Sequence, residues 1–124
     1  MWLDGKHVVL TGATRGIGRA LTRQLIEAGA TVLAVARDED ALAALAWELG
    51  HQVQTHTCDL QNTQDRHRLI ERLRTAAVPL DGLINNAGIQ HTESVETFPE
   101  SKWNAIIAIN LTAAFHTMQQ LIPN

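Results

Sequence analysis

The sequence contains no tyrosine, and its single cysteine, Cys58, has no disulfide partner within the chain. The first absence removes the phenol group from every acid–base role these residues could fill. The second excludes a disulfide-stapled scaffold and fits a reducing compartment, so a cytoplasmic protein is expected. An excess of positive charge is also missing. Lys and Arg number 10 against 13 Asp and Glu, for a formal net charge of −3. That leaves no electrostatic basis for binding nucleic acid or an anionic membrane surface. No apolar run approaches the roughly 20 residues of a transmembrane helix. Met1 is followed at once by Trp2, Asp4 and Lys6 rather than by the apolar core of a signal peptide. The histidines (His7, His51, His56, His67, His91 and His116) are scattered and form no His-Glu-x-x-His or Cys/His pairing. No metal is therefore expected.

What remains is an ordinary globular composition, 45% hydrophobic and 19% charged over 124 residues, which fits one domain. Its organising stretch is Thr11–Gly18, TGATRGIG. The apolar run Val8-Val9-Leu10 precedes it and an amphipathic segment follows from about Ile17. Strand, glycine turn and helix start thus come in the order of a phosphate-binding βα turn. Gly12 permits the tight turn, Gly16 removes a Cβ from the path of a pyrophosphate, and Gly18 lets the helix pack close to the strand. The helix N-terminus adds free N–H groups and a partial positive charge.

The rest of the chain repeats the strand–helix alternation. Lys6–Thr11 reads as a strand buried on both faces. Ile17–Ala28 reads as a helix with Ile17, Leu21, Leu25 and Ile26 as its apolar stripe, closed by Gly29. Thr31–Ala36 is the second strand. Asp38 caps a helix with Leu42, Leu45, Ala46 and Leu49 inward, Trp47 packing near that face, and Gly50 as its stop. Val53–Cys58, with alternating Gln and Thr, reads as an outer strand. Asn62 or Thr63 opens a third helix with Leu69, Ile70 and Leu73 inward. Pro79 sits in the next connection, and Leu83-Ile84-Asn85 forms the heart of a fourth strand. Ser94–Phe98 is a loop or short turn. Pro99 at the first helical position then opens one long helix to about Leu121, with Ser101 in its first turn, and Pro123 stops it. Asn110, flanked by Ile109 and Leu111, is expected to be buried and bonded. This alternation predicts an α/β fold with a parallel sheet and right-handed crossovers.

The glycine spacing, G-x-x-x-G-x-G, and the downstream run Asn85-Asn86-Ala87-Gly88 together resemble the short-chain dehydrogenase/reductase family. The resemblance runs over the whole chain. It implies a doubly wound, Rossmann-type sheet in strand order 3-2-1-4 and a nicotinamide-dependent oxidoreductase acting on a small alcohol or carbonyl substrate. Family members are roughly twice as long. Residues 1–124 are therefore expected to form one NAD(P)-binding domain, truncated after the fourth strand and its following helix. The family's Tyr-x-x-x-Lys pair has no counterpart here, so unaided turnover is not expected. The alternative is a catalytically inactive nucleotide-binding or truncated product.

The resemblance also places the site. Thr11, Gly12, Thr14, Arg15, Gly16, Ile17 and Gly18 would hold the phosphates. Asp59, with Leu60 beside it, matches the aspartate that bonds the adenine amino group, with helix capping as its alternative role. Asn86, Ala87 and Gly88 would line the ribose side, and Asn85 would bond between strands and turn. Asn110 matches an asparagine that holds a proton-relay water, or is structural only. Residues 84–117 are similar to 3-hydroxybutyrate dehydrogenases of the family, where the residue matching Gln90 helps hold a substrate carboxylate.

Cofactor choice is read at the end of the second strand, where NAD sites carry an acid for the ribose 2′-OH. This chain has Ala36 there and Arg37 next. A guanidinium fits a 2′-phosphate, and Arg15 stands where NADP-using relatives often carry a basic residue. NADP is expected. NAD stays open through Asp38, which can reach a ribose hydroxyl. Finally, the fourth strand would lie at a sheet edge with no proline or charge to guard it. Ile106, Ile107, Ile109, Leu111, Phe115, Met118 and Leu121 make the last helix apolar around much of its circumference. A homo-oligomer through that edge and that helix is expected.

Overall fold

The computed structural model describes residues 1–76 and 78–122. Among them β1 (His7–Thr11), β2 (Thr31–Ala36), β3 (Val53–Thr57) and β4 (Gly82–Ile84) form one parallel sheet in the order β3-β2-β1-β4. The helices are α1 (Gly16–Glu27), α2 (Glu39–Leu49), α3 (Thr63–Thr75), α4 (Glu100–Ile107) and α5 (Ala113–Leu121). A 3-10 turn spans Val95–Thr97 and a π-helical turn spans Ala108–Thr112. This is the doubly wound α/β arrangement with the expected strand order.

The sheet is covered on both faces. Val9, Leu33 and Val35 pack with Leu69, Ile70 and Leu73 of α3 and with Ala113 and Leu121 of α5. Leu10, Val32 and Ala34, one residue out of phase, pack with Leu42 and Leu45 of α2 and with Leu21 and Leu25 of α1. Side chains alternate across a strand, so strands needed on both faces must be apolar throughout, as β1 and β2 are. Fully burying Leu10, Leu33, Leu42, Leu45, Leu69 and Leu73 contributes about 1.5–3 kcal/mol each. The outer strand β3 exposes Gln54, Thr55 and Thr57, as its mixed pattern predicts.

Helix ends follow their caps. The Ala41 N–H donates to Asp38 Oδ1 at 3.0 Å, and the Asp65 N–H donates to Asn62 Oδ1 at 2.9 Å. After α1 the chain turns at Gly29, with φ +100°. The Gly29 N–H donates to the Ile26 carbonyl and the Ala30 N–H to the Leu25 carbonyl, a Schellman closure that only a residue at ease in the left-handed region makes cheaply.

Several expectations are corrected. Ile17 is 73% exposed and Trp47 is 92% exposed. Neither packs inward, because each lies on the solvent side of its helix, beyond the arc that faces the sheet. Asn85 falls outside β4, and its Oδ1 accepts from Thr117 Oγ1 of α5 at 2.9 Å rather than joining strand to turn. Pro99 caps α4 instead of opening it. Its ψ of 130° is extended, and its carbonyl accepts from the Lys102 and Trp103 amides. The long helix is not uniformly α-helical. The Ala113 N–H donates to the Ala108 carbonyl five residues back, a π turn that hydrophobic periodicity cannot reveal. Pro123 lies outside the described residues. Among the described residues no helix is long and apolar enough to cross a membrane.

Candidate functional site

The C-terminal ends of the strands open into a cleft of about 280 Å³ at the switch point where β1 lies between β2 and β4. Ligands of open α/β sheets sit in such a crevice. The turn after β1 forms its floor. Gly12 has φ +67° and Gly16 has φ +51°, the left-handed region that glycine alone enters without strain. Apart from its chain neighbours and the backbone of its own helix, no heavy atom of the described residues lies within 4 Å of where a Gly16 Cβ would be, so the chain there borders open space. Gly18 plays the opposite part. A Cβ on it would lie 1.9 Å from the Gly12 carbonyl oxygen and 2.6 Å from Asn86 Nδ2. What it packs against is the turn and the segment after β4, rather than the strand itself.

That segment is fastened by Thr11. Thr11 is buried, and its hydroxyl accepts from the Asn86 N–H at 3.1 Å and the Ala87 N–H at 3.0 Å. Asn86 Nδ2 donates to the Gly12 carbonyl at 3.1 Å. The two glycine-bearing motifs are thus one unit, joined by three hydrogen bonds across β1 and β4.

The start of α1 is left open. Arg15 stands at its N-cap without a side-chain cap, and its first turn holds no acid. The amides of Gly16, Ile17 and Gly18 donate to no acceptor among the described residues. Free N–H groups and the helix dipole make this an anion-ready end. Arg15 and Arg37 line the cleft, and neither makes an ion pair among the described residues. Asp38 lines it too, with Oδ1 engaged in capping α2.

On the β3 side the wall is Cys58, Asp59 and Leu60. Asp59 does not cap α3, since Asn62 does. Its Oδ1 accepts from the Gln61 N–H at 3.1 Å, and its Oδ2 accepts no bond from the described residues. Burial, with the Asp65 carboxylate nearby, pushes the Cys58 thiol up to about 11, so it stays protonated and unreactive at neutral pH.

Asn110 is exposed, against expectation, yet bonded through both atoms of its amide. Its Oδ1 accepts from the Ile89 N–H at 2.9 Å and its Nδ2 donates to the Ile89 carbonyl at 2.8 Å. These two bonds tie the π turn to the loop after Gly88. Beyond lie Gln90, which is exposed, and a His91–Glu93 pair at 2.9 Å whose imidazole meets the Phe98 ring edge to face.

Of the residues expected at the site, Gly12, Thr14, Arg15, Arg37, Asp59, Leu60, Asn86, Ala87 and Gly88 come together around the cleft. Thr11 and Gly18 lie beneath it as supports. Gly16, Ile17, Gln90 and Asn110 do not line it. Sequence reasoning missed Val35, Ala41, Cys58, Ile89 and Ile109 as lining residues. Position supplies the signal for two of them, since Val35 lies near the C-terminal end of β2 and Cys58 directly follows β3. No three His, Cys, Asp or Glu side chains gather as a metal-ligand set among the described residues.

A doubly wound sheet with this glycine turn and this post-β4 motif defines a dinucleotide-binding class of domain. The short chain dehydrogenase family model matches residues 6–124, and the chain belongs to that family. It is 36% identical over 124 residues to D-beta-hydroxybutyrate dehydrogenase of Cupriavidus necator, covering 98% of this chain and 48% of that protein. It is 37% identical over 123 residues to the rhamnolipids biosynthesis 3-oxoacyl-(acyl-carrier-protein) reductase of Pseudomonas aeruginosa, again covering 98% and 48%. Among solved structures it is similar to a metagenomic short-chain oxidoreductase in complex with NADP. That match has a TM-score of 0.91 and 34% identity, covering 99% of this chain and 57% of that one. The chain spans about half the length of the curated relatives it matches.

Proposed function

We propose that the cleft holds a nicotinamide dinucleotide, with NADP favoured over NAD, as the cofactor-binding portion of an oxidoreductase acting on a small alcohol or carbonyl. The observation that carries this reading is an uncapped α1 whose N-cap residue, Arg15, lines the cleft together with Arg37, neither arginine being paired with a carboxylate among the described residues. The similar oxidoreductase with NADP bound supports it. Gly12, Thr14, Arg15, Gly16, Ile17 and Gly18 would hold the phosphates, and Arg37 with Arg15 the 2′-phosphate. Asp59, with a free carboxylate oxygen, and Leu60 would meet the adenine. Asn86, Ala87 and Gly88 would form the ribose side, Gln90 would meet substrate, and Asn110 would order the loop that carries it. The bound nicotinamide supplies hydride transfer. No tyrosine stands in the 124 residues, so the part assigned to them is holding and orienting the cofactor rather than proton transfer. NAD is the second reading. It rests on Asp38, whose second carboxylate oxygen is free.

Replacing Arg37 tests the preference. Arg37→Ala is expected to reduce the margin of NADPH over NADH by about 1–3 kcal/mol, the scale of a charge-assisted hydrogen bond. Titration of both cofactors against both proteins reads it. An unchanged margin would remove Arg37 from the 2′-phosphate site.

We further propose that this chain self-associates. β4 is the short outer strand beside β1, and Ile107, Leu111, Phe115 and Met118 are exposed along α4, the π turn and α5. Light scattering of the 124-residue chain is expected to give a dimer or larger species. A monodisperse monomer at micromolar concentration would contradict this.

A further inference from the structure

The corner where α3 meets α5 contains a buried charge that cofactor binding does not use directly. Arg66 on α3 is 4% exposed and makes no ion pair among the described residues. A guanidinium removed from water without a counter-ion is costly unless its N–H groups are bonded. Its acceptors here are all uncharged. Nη1 donates to the Leu60 carbonyl at 2.5 Å, Nη2 to Thr63 Oγ1 at 3.5 Å, and Nε to His116 Nδ1 at 3.4 Å. One of these links reaches the cleft, since Leu60 lines it. Another depends on a titratable group, because Nδ1 of His116 accepts only while the ring is neutral with its proton on Nε2.

We propose that Arg66 and His116 are positioning residues of the cleft. Neutral His116 steers the Arg66 guanidinium onto the Leu60 carbonyl and so holds the Asp59–Leu60 wall. Protonation of His116 releases that hold and weakens nucleotide binding. The effect on binding rests on the cofactor reading above, whereas the link between His116 and the wall does not.

The surroundings fit this arrangement. Two α3 side chains hold the segment after β3: Arg66 through the Leu60 carbonyl, and Asp65, whose Oδ2 accepts from the Asp59 N–H at 3.1 Å. The groups facing His116 are Arg66 and His67, both on α3. The two imidazole rings meet edge to face with centroids 4.9 Å apart. Among the described residues no carboxylate pairs with His116. Asp65 is taken by Arg68 and the Asp59 amide, and Asp59 Oδ1 by the Gln61 amide. Partial burial, then the Arg66 charge, then His67 hold the His116 imidazole below its usual range. The unfolded chain therefore takes up this proton at a higher pH than the folded one. The corner contributes its full stability above the ordinary histidine value of about 6.5 and loses it as pH falls below that.

The experiment follows the His116 ring nitrogens and the Asp59 and Leu60 amides by NMR between about pH 7.5 and 5. NADPH affinity is measured across the same range. Wild type is compared with His116→Asn, whose Oδ1 offers a non-titrating acceptor near the Nδ1 position, and with Arg66→Met. In wild type, neutral His116 should carry its proton on Nε2, and the two amides should shift with its titration. Arg66→Met should uncouple them. NADPH affinity of wild type should fall about three- to tenfold more than that of His116→Asn on acidification, because only the wild-type corner takes up a proton that nucleotide binding opposes. Titration of the cofactor's own phosphates is common to both proteins and cancels. Amides that ignore His116, or equal acid losses in the two proteins, would overturn the proposal. If NADPH fails to bind at pH 7.5, the cofactor reading falls, and the amide titration still decides the link. If Arg66→Met does not fold, the His116→Asn comparison decides it.

Discussion

Gly18→Ala is expected to lower stability by about 3 kcal/mol or more and to abolish cofactor binding. The added methyl would stand 1.9 Å from the Gly12 carbonyl oxygen and 2.6 Å from Asn86 Nδ2. Overpacking a close-packed site typically costs about 1–3 kcal/mol. Here the nearest obstacle is backbone, which cannot swing aside as a flexible side chain can. Relief requires α1 to move off the turn, and that movement displaces the amides of Gly16–Gly18 together with the Asn86–Gly12 hydrogen bond. Urea denaturation reads the stability and NADPH titration the binding. A midpoint and affinity equal to wild type would show that α1 shifts at no cost.

Thr11→Val has the second largest expected effect. The two side chains have nearly the same shape, so the change removes an acceptor and leaves packing almost intact. The Asn86 and Ala87 amides lose their shared partner. An unsatisfied buried donor costs about 1–3 kcal/mol, so a loss of about 2–5 kcal/mol is expected, lessened where water reaches the part-buried amides. Thr11→Ser keeps the oxygen and should restore most of it. A valine variant as stable as the serine variant would show that the hydroxyl does not fasten the post-β4 segment.

Much of this was legible in the sequence because local and global signals agree. Val8-Val9-Leu10 and Thr31–Ala36 are apolar throughout, which only a doubly covered sheet demands. Asp38, Asn62, Gly29 and Gly50 mark helix ends by their own backbone chemistry. The glycine turn foretold the cleft, and Arg15, Arg37, Asp59 and Gly88 converge on it. The failures have physical causes. Ile17 and Trp47 are apolar, and hydrophobicity alone does not say which residues at the border of a helical stripe face solvent. The π turn at Ala108–Thr112 changes no residue type, so helical periodicity passes through it unmarked. Asn110 was expected to be buried because its neighbours are apolar. It instead meets its hydrogen-bonding needs with the Ile89 backbone, a partner 21 residues away. Arg66 stands among the charged residues of α3, and nothing in the sequence around it marks it as buried. Only the packing of α3 on α5 shows that its charge is inside.

The most direct measurement is equilibrium titration of the unaltered 124-residue chain with NADPH and NADH, read by cofactor fluorescence at neutral pH. Saturable one-site binding is predicted, with NADPH tighter by about tenfold or more, the equivalent of ~1.4 kcal/mol. Binding of neither cofactor by a folded chain, or equal affinity for both, would contradict the assignment of the cleft as an NADP site.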